Sequence, residues 1–209
     1  MKTMLKRWTA LVFALVAAGC AGSAVPTAGQ APPTGGQQKP VIPVGFGTLK
    51  QDEFTMALRS GPLLIKVVPL SEYVIRTAAP DTYKRLNAMA ESRREEALRT
   101  AGAVGEAELF LVSFFSYEPD VVFQPENLQV THQGRQMRAV AIVPLTPEWG
   151  QQRLKQQDNQ SAIYAFTGKF DYDLGITVRY GLDQTDAWSN IVSKLETERA
   201  KILARAGAK

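Results

Sequence analysis

The chain has 209 residues, with 24 Lys and Arg against 20 Asp and Glu, so its formal net charge is +4. Three basic residues, Lys2, Lys6 and Arg7, lie in the first 19 positions, and the rest of the chain has 21 basic against 20 acidic residues. A strongly basic field is the electrostatic footprint of nucleic-acid binding. Because residues 20–209 lack such a field, we expect no nucleic-acid partner.

The N-terminus has the pattern of an export signal. Its basic residues precede an apolar run from Trp8 to Ala18, which is followed by Gly19 and Cys20. This run of about 11 residues is too short to cross a bilayer, because a spanning helix needs about 20. A positive start, a short apolar stretch and small residues before a cleavage point are typical of a signal peptide.

Cys20 is the only cysteine of the chain, and the segment that ends in it resembles the signal of a bacterial lipoprotein precursor. Ala18 and Gly19 supply the small residues of that signature, although Ala17 stands where Leu or Val is usual. The resemblance implies cleavage between Gly19 and Cys20 and a diacylglycerol on the Cys20 thiol. An ordinary secretory signal, cut near Ala18 or Ala21, is the alternative.

The residues after the cysteine bear on location. In Gram-negative lipoproteins, those kept in the inner membrane typically have Asp next, whereas Ala21 and Gly22 follow here. The resemblance therefore implies a cell-envelope protein, anchored in the outer membrane and facing the periplasm if the host is Gram-negative. In a Gram-positive host it implies the outer face of the plasma membrane.

Residues 20–44 have the composition of a tether. They are rich in Ala, Gly, Ser, Thr, Pro and Gln, and Lys39 is their only charge. Such a segment buries too little apolar surface to offset the entropy lost on ordering. We expect a disordered tether with an average span of roughly 25 to 30 Å. Residues 45–209 are then long enough for one domain with a hydrophobic core.

The first element of that domain is predicted to be a β-hairpin. Apolar residues alternate with polar ones over 54–58, a Gly-Pro turn follows at 61–62, and an apolar run occupies 63–68. A short helix over 50–59 is the alternative, because apolar side chains there also share a helical face.

Two longer helices are predicted at 81–101 and 186–206 from their apolar spacing. Before them, Ser71 is placed to cap a helical turn at 73–78. The exposed face of the helix at 81–101 mixes charges of both signs, which is typical of a solvated surface. A docking surface for a partner is the alternative interpretation of this face.

The remaining pattern predicts strands. Residues 109–115 are apolar on both alternating faces, so this strand must be central and covered on both sides. Gln133 and Gly134 form a two-residue turn signal. Further strand patterns occupy 121–123, 128–132, 137–143, 163–170 and 174–180.

The predicted fold class is mainly β with helical additions (α+β), an antiparallel β-sandwich with one inserted helix and a C-terminal helix. The stretch from Glu108 to Gly181 is vaguely similar to immunoglobulin-like modules of bacterial envelope proteins. No specific motif carries this similarity.

Candidates for metal or histidine chemistry are few. His132 is the only histidine, and its place beside a hairpin turn predicts an exposed side chain rather than a general base. One histidine and a lipidated Cys20 do not supply the three or four ligands of zinc. Asp171 and Asp173 suggest calcium, but Gly175 stands where an EF-hand needs a third oxygen ligand, so they are interpreted as a polar turn. We expect no metal and no cofactor.

Carboxylate chemistry has candidates too, but nothing separates them from ordinary surface acids. They are Glu118 with Asp120, and Glu148 near Trp149. Five aromatic residues are assigned to the core rather than to a ligand groove, because they recur at strand spacing. These residues are Trp149, Tyr164, Phe166, Tyr172 and Tyr180.

Together these patterns predict a membrane-anchored envelope lipoprotein with a non-enzymatic role in protein interaction or structure, and an envelope protein as its partner. A carrier of a small ligand or lipid is the first alternative, and it requires a deep apolar cavity. A hydrolase that uses carboxylates alone is the second, and it requires two acids with raised pKa in one cleft.

Overall fold

The computed structural model describes residues 41–102 and 106–207. The predicted signal peptide, Cys20 and the tether as far as residue 40 lie outside the described residues. Within these two ranges, none of the helices is both long and apolar enough to cross a bilayer.

The described part of the chain contains eleven strands, three α-helices and three short 3-10 helices. The 3-10 helices are Gln51–Phe54, Pro125–Asn127 and Pro147–Gln151. In chain order, the other elements are β1 (Met56–Ser60), β2 (Leu63–Pro69), α1 (Glu72–Ile75), α2 (Pro80–Thr100), β3 (Ala107–Ser116), β4 (Val121–Val122), β5 (Leu128–His132), β6 (Arg135–Arg138), β7 (Ala141–Pro144), β8 (Arg153–Leu154), β9 (Asp158–Thr167), β10 (Ile176–Tyr180), β11 (Asp183–Thr185) and α3 (Trp188–Gly207).

All named strands pair antiparallel, in two main sheets and one short ribbon. The larger sheet has the order β1-β2-β3-β9-β7, the smaller sheet has the order β11-β10-β5-β6, and β4 pairs with β8. At one edge of the larger sheet, β1 lies against β10 and β11. The predicted fold class, an antiparallel sandwich-like α+β fold, is confirmed.

Aromatic side chains fill the space between the two sheets. Phe114 of β3 lies at ring-centroid distances of 4.6 Å from Phe123 and 5.7 Å from Tyr180, which belongs to β10 of the smaller sheet. The hydroxyl of Tyr164 on β9 donates a hydrogen bond to the carbonyl of Pro125 (3.0 Å). Buried aromatic pairs of this kind add specific geometry to the hydrophobic stabilisation of a core.

The central strand is β3, as its continuous apolar run predicts. It pairs with β2 on one side and β9 on the other. Phe110 and Phe114 point to the smaller sheet, while Leu109 and Leu111 point to the opposite face, where α2 packs on β3, β7 and β9. Both faces of this strand are therefore covered.

The first hairpin and the helices also follow their sequence patterns. β1 and β2 pair as predicted. The alternative, a helix over 50–59, is present only as the short 3-10 helix Gln51–Phe54. Ser71 caps α1 by accepting a hydrogen bond from the backbone N–H of Tyr73. α2 and α3 lie within two residues of their predicted bounds.

One predicted strand is wrong as a single element. The stretch 137–143 divides between β6, which pairs with β5 in the smaller sheet, and β7, which pairs with β9 in the larger sheet. Met137 lies opposite Val130, whereas Ala141 lies opposite Ala165. The backbone changes sheets near Ala139 because the two halves of the stretch have partners in different layers.

The ordered packing begins earlier than residue 45. Ile42 is 1% exposed, and its carbonyl accepts a hydrogen bond from Arg76 (3.0 Å). Farther along, a Cβ atom at Gly47 would lie 2.3 Å from the carbonyl oxygen of Thr77, so only glycine allows this close approach. Residues 41–44, assigned to the tether from sequence, are thus in part packed on the domain.

Candidate functional site

A cavity of about 440 Å³ opens between α1, the second half of α2 and the start of β3. This volume falls in the range of ~300–1,000 Å³ that is usual for small-ligand sites. We call it the α2–β3 cavity. It is lined by Leu70, Ser71, Glu72, Arg94, Leu98, Glu106, Ala107, Glu108, Leu109 and Lys169.

Backbone hydrogen bonds hold the walls of the cavity in place. The N–H of Leu70, just after β2, donates to the carbonyl of Leu109 (2.8 Å). The N–H of Gly168 donates to the carbonyl of Glu106 (3.0 Å), which fixes Lys169 beside the start of β3. The ends of three strands, β2, β3 and β9, and two helices, α1 and α2, therefore define the site.

The Glu108 carboxyl group of this cavity is partly withdrawn from water, and its pKa changes as a result. Burial raises the pKa of the Glu108 carboxyl. The hydroxyl of Tyr172, which donates to Glu108 Oε2 (3.0 Å), the backbone N–H of Phe170 and the charges of Arg94 and Lys169 offset part of this increase in the pKa. Burial also raises the pKa of Tyr172 well above its ordinary value, so this hydroxyl stays a donor.

The other charged groups of the α2–β3 cavity differ in their partners. The Glu72 carboxylate accepts hydrogen bonds from Arg76 and from the hydroxyl of Tyr83. Arg94 pairs with Glu91 on its own helix (3.3 Å). Neither Glu106 nor Lys169 forms an ion pair with any residue that the structure describes.

A second carboxylate, Glu198, is held in a different way. This side chain of α3 is 3% exposed and accepts hydrogen bonds from the N–H (3.1 Å) and hydroxyl (2.9 Å) of Thr48 and from Arg205 (2.9 Å). Arg205 also donates to the carbonyl of Phe46 (2.7 Å). We call these four residues, Phe46, Thr48, Glu198 and Arg205, the N-terminal clamp.

The N-terminal clamp keeps Glu198 ionised. Burial alone would raise the pKa of this carboxyl, but hydrogen bonds from Arg205 and Thr48 and the nearby cations of Arg205 and Lys201 lower the pKa below its ordinary value. The contacts also fasten the start of the domain to its last helix.

His132 is not exposed, and this corrects the sequence prediction. It is 5% exposed, its ring stacks on Phe170 with centroids 4.8 Å apart, and its Nε2 accepts a hydrogen bond from the N–H of Asp171 (3.0 Å). Nδ1 lies 3.3 Å from the carbonyl of Gly175 and therefore carries the proton. The loop after β9 covers the hairpin tip, so His132 has a structural role and does not line the cavity.

The two aspartates interpreted as a polar turn form one. The N–H of Asp173 donates to Asp171 Oδ1 (3.1 Å), and the Asp173 carboxylate accepts from the hydroxyl of Tyr73. Across residues 41–102 and 106–207, no group of three or more His, Cys, Asp or Glu side chains is placed to hold a metal ion.

The carboxylate candidates from sequence do not meet in a cleft. Glu118, Asp120 and Glu148 are exposed and lie outside the α2–β3 cavity, and Asp120 contacts Arg153 (3.4 Å). The five aromatic residues assigned to the core are all buried. Glu108 was not among the residues predicted from sequence, although an acid at the start of an apolar strand is a signal that could have found it.

Comparison with known proteins gives no family for this chain. No family model, curated protein or solved structure matches it.

Proposed function

We propose that this chain is a membrane-anchored envelope lipoprotein, with a lipid on Cys20 and a folded domain that has a non-enzymatic role in protein interaction or structure. The observation that carries the proposal is the N-terminal order of basic residues, a short apolar run, Ala18, Gly19 and a solitary Cys20. A lipid on this thiol also accounts for a single cysteine in an exported chain, which otherwise lacks a disulfide partner.

The filled interior argues against the lipid-carrier alternative. The space between the sheets is occupied by packed rings, including Phe114, Phe123 and Trp149. A lipid carrier requires a deep apolar cavity, whereas five of the ten residues that line the α2–β3 cavity are charged. Such a cavity does not fit an acyl chain.

The geometry also favours a non-enzymatic role over a carboxylate hydrolase. Acid and base catalysis by two carboxylates needs both groups free to act on the bond that is cleaved. In the α2–β3 cavity, Glu72 is bound by Arg76 and Tyr83, and Glu106 is exposed, so neither joins Glu108 as a second free carboxyl group withdrawn from water. Glu118, Asp120 and Glu148 are exposed and lie outside this cavity.

The charged face of α2 is less suited to carry the proposed protein contact. Its side chains pair within the helix, as Arg93 with Glu96 (2.9 Å) and Arg99 with Glu95 (3.6 Å). Exposed pairs of this kind contribute about 0.3–0.5 kcal/mol each and are typical of a solvated surface. We therefore place the partner contact elsewhere on the domain.

Palmitate labelling of the native host, which carries either wild-type or Cys20→Ala protein, tests the anchor. The wild type should be labelled and shortened by 19 residues, whereas Cys20→Ala should remain an unlabelled, full-length precursor. Ser23→Ala, three residues beyond the cysteine, is the matched control and should behave like the wild type. Processing and release of Cys20→Ala like the wild type would contradict the proposal.

Crosslinking in the same cells, followed by affinity capture of the mature wild type, tests the protein contact. The expected result is a reproducible envelope protein that is lost when Cys20→Ala prevents anchoring. Recovery of a small molecule with no protein partner would instead support the carrier alternative.

A further inference from the structure

Charged side chains of both signs line the α2–β3 cavity. Glu108 lies at the start of β3 and Glu106 immediately precedes that strand, while Arg94 projects from α2 and Lys169 lies in the loop after β9. Between them, the wall also has an apolar part, formed by Leu70, Leu98 and Leu109. A ligand for this cavity therefore meets both charges and an aliphatic surface.

Glu108 and Lys169 have no ion-pair partner at contact distance among the described residues. Glu108 receives hydrogen bonds from Tyr172 and the backbone of Phe170, which are neutral donors, and forms no ion pair with a described residue. Lys169 likewise has no ion-pair partner among residues 41–102 and 106–207. The charges of Arg94 and Lys169 offset only part of the free energy lost when the Glu108 carboxylate is withdrawn from water. A cationic group bound at hydrogen-bond distance would offset more of it.

The charge arrangement selects the class of ligand. A simple anion would meet the carboxylates of Glu72, Glu106 and Glu108, and a simple cation would meet Arg94 and Lys169. A molecule with both an ammonium and a carboxylate group is able to pair with both sets of charges. The leucine side chains suit an aliphatic body between its charged ends.

We propose that the α2–β3 cavity binds a small amino-acid-like zwitterion, with its ammonium group at Glu108 and its carboxylate at Lys169 and Arg94. The cavity volume of about 440 Å³ accommodates an aliphatic amino acid or a short peptide. This binding site does not depend on the lipid anchor, because it is built entirely from residues of the folded domain.

Isothermal titration calorimetry on the full-length chain in detergent tests the site, with the dipeptide leucyl-leucine as the probe. Two capped forms are the comparison ligands: N-acetyl-leucyl-leucine, which lacks the ammonium group, and leucyl-leucine amide, which lacks the carboxylate. We expect the zwitterion to bind at least 10-fold more tightly than either capped form. Equal affinities, or no heat of binding with leucyl-leucine at millimolar concentration, would overturn the proposal.

Two variants test which residue contacts each charged end of the ligand. Glu108→Gln keeps an acceptor for Tyr172 but removes the charge, so it should weaken leucyl-leucine binding at least 10-fold and leave the N-acetyl form unchanged. Lys169→Met should weaken leucyl-leucine and leave the amide form unchanged. Lys155→Met, an exposed lysine outside the cavity, is the control and should bind like the wild type.

Lys169 is exposed, so its replacement tests the site even if Glu108→Gln fails to fold. Thermal unfolding followed by circular dichroism checks the fold of each variant. A folded Lys169→Met protein that binds leucyl-leucine with wild-type affinity would contradict the assigned orientation. Because the titration needs no membrane, failure here is distinguishable from failure of the lipid-anchor proposal.

Discussion

Glu198 in the N-terminal clamp and Glu108 in the α2–β3 cavity are both withdrawn from water, yet their surroundings differ. Glu198 accepts from Arg205 and from two donors of Thr48, and these partners lower its pKa despite burial. Glu108 accepts from neutral donors, and burial raises its pKa. Glu198 therefore already has a cationic partner within the fold, whereas Glu108 is able to accept a hydrogen bond from a cationic ligand.

The largest loss of stability should come from displacing the segment around Gly47, which lies between the clamp residues Phe46 and Thr48. Gly47→Ala places a Cβ within 2.3 Å of the Thr77 carbonyl, so the backbone around Thr48 must move. We expect a loss of about 3 kcal/mol in the free energy of unfolding, measured by urea denaturation. Gly150→Ala is the control, since its Cβ meets nothing within 4 Å. Equal stability of the two variants would show that the clamp does not need this close approach.

A smaller loss should follow when the clamp carboxylate itself is removed. Glu198→Ala leaves Thr48 and Arg205 without their acceptor, and we expect a loss of about 2 kcal/mol in the free energy of unfolding. Glu95→Ala removes an exposed acid paired with Arg99 and should cost less than about 0.5 kcal/mol. If both variants unfold at the same urea concentration, Glu198 does not hold the N-terminal segment.

The pKa values of Glu198 and Glu108 are shifted in opposite directions, so the two residues should change the pH dependence of stability in opposite ways. The lowered pKa of Glu198 stabilises the fold above the unfolded glutamate value of about 4.3, and this contribution is lost as pH falls through the folded pKa. Glu198→Gln should therefore flatten the acid side of the stability profile.

For Glu108 the sign is reversed. Its pKa is raised in the fold, so the folded state binds the proton more tightly and stability falls as pH rises from about 4.3 through the folded pKa. Glu108→Gln should remove that fall, and urea denaturation between pH 3 and 7 measures both profiles. A change of the same sign in both variants would contradict the contrast between the two sites.

Local patterns in the sequence predicted much of the fold. The helices α2 and α3, the central strand β3 and the turn at Gln133 all depend on spacing within one segment, and each is present. The change of sheet near Ala139 was missed, because the partners of its two halves, β5 and β9, lie in different layers. Such pairings join distant segments, so no local period encodes them.

The candidate site was harder to predict for the same reason. Glu108 has its hydrogen-bond partner Tyr172 at a separation of 64 residues, and His132 is bound by Asp171 at a separation of 39. In both cases the hydrogen-bond partner belongs to the loop after β9. The position of Ile42 also depends on a distant partner, because Arg76 binds its carbonyl. The composition of the segment around Ile42 predicts a free tether.

The N-terminal clamp also sets an order of events for the folding chain. Thr48 and Glu198 are 150 residues apart, and α3 is the last described element to be synthesised. The first packed residues therefore cannot be fastened until α3 has been synthesised, and contacts of such long range slow folding. If the chain is exported, as we propose, the N-terminal part of the domain stays unfastened until α3 has also crossed the membrane or folded with it.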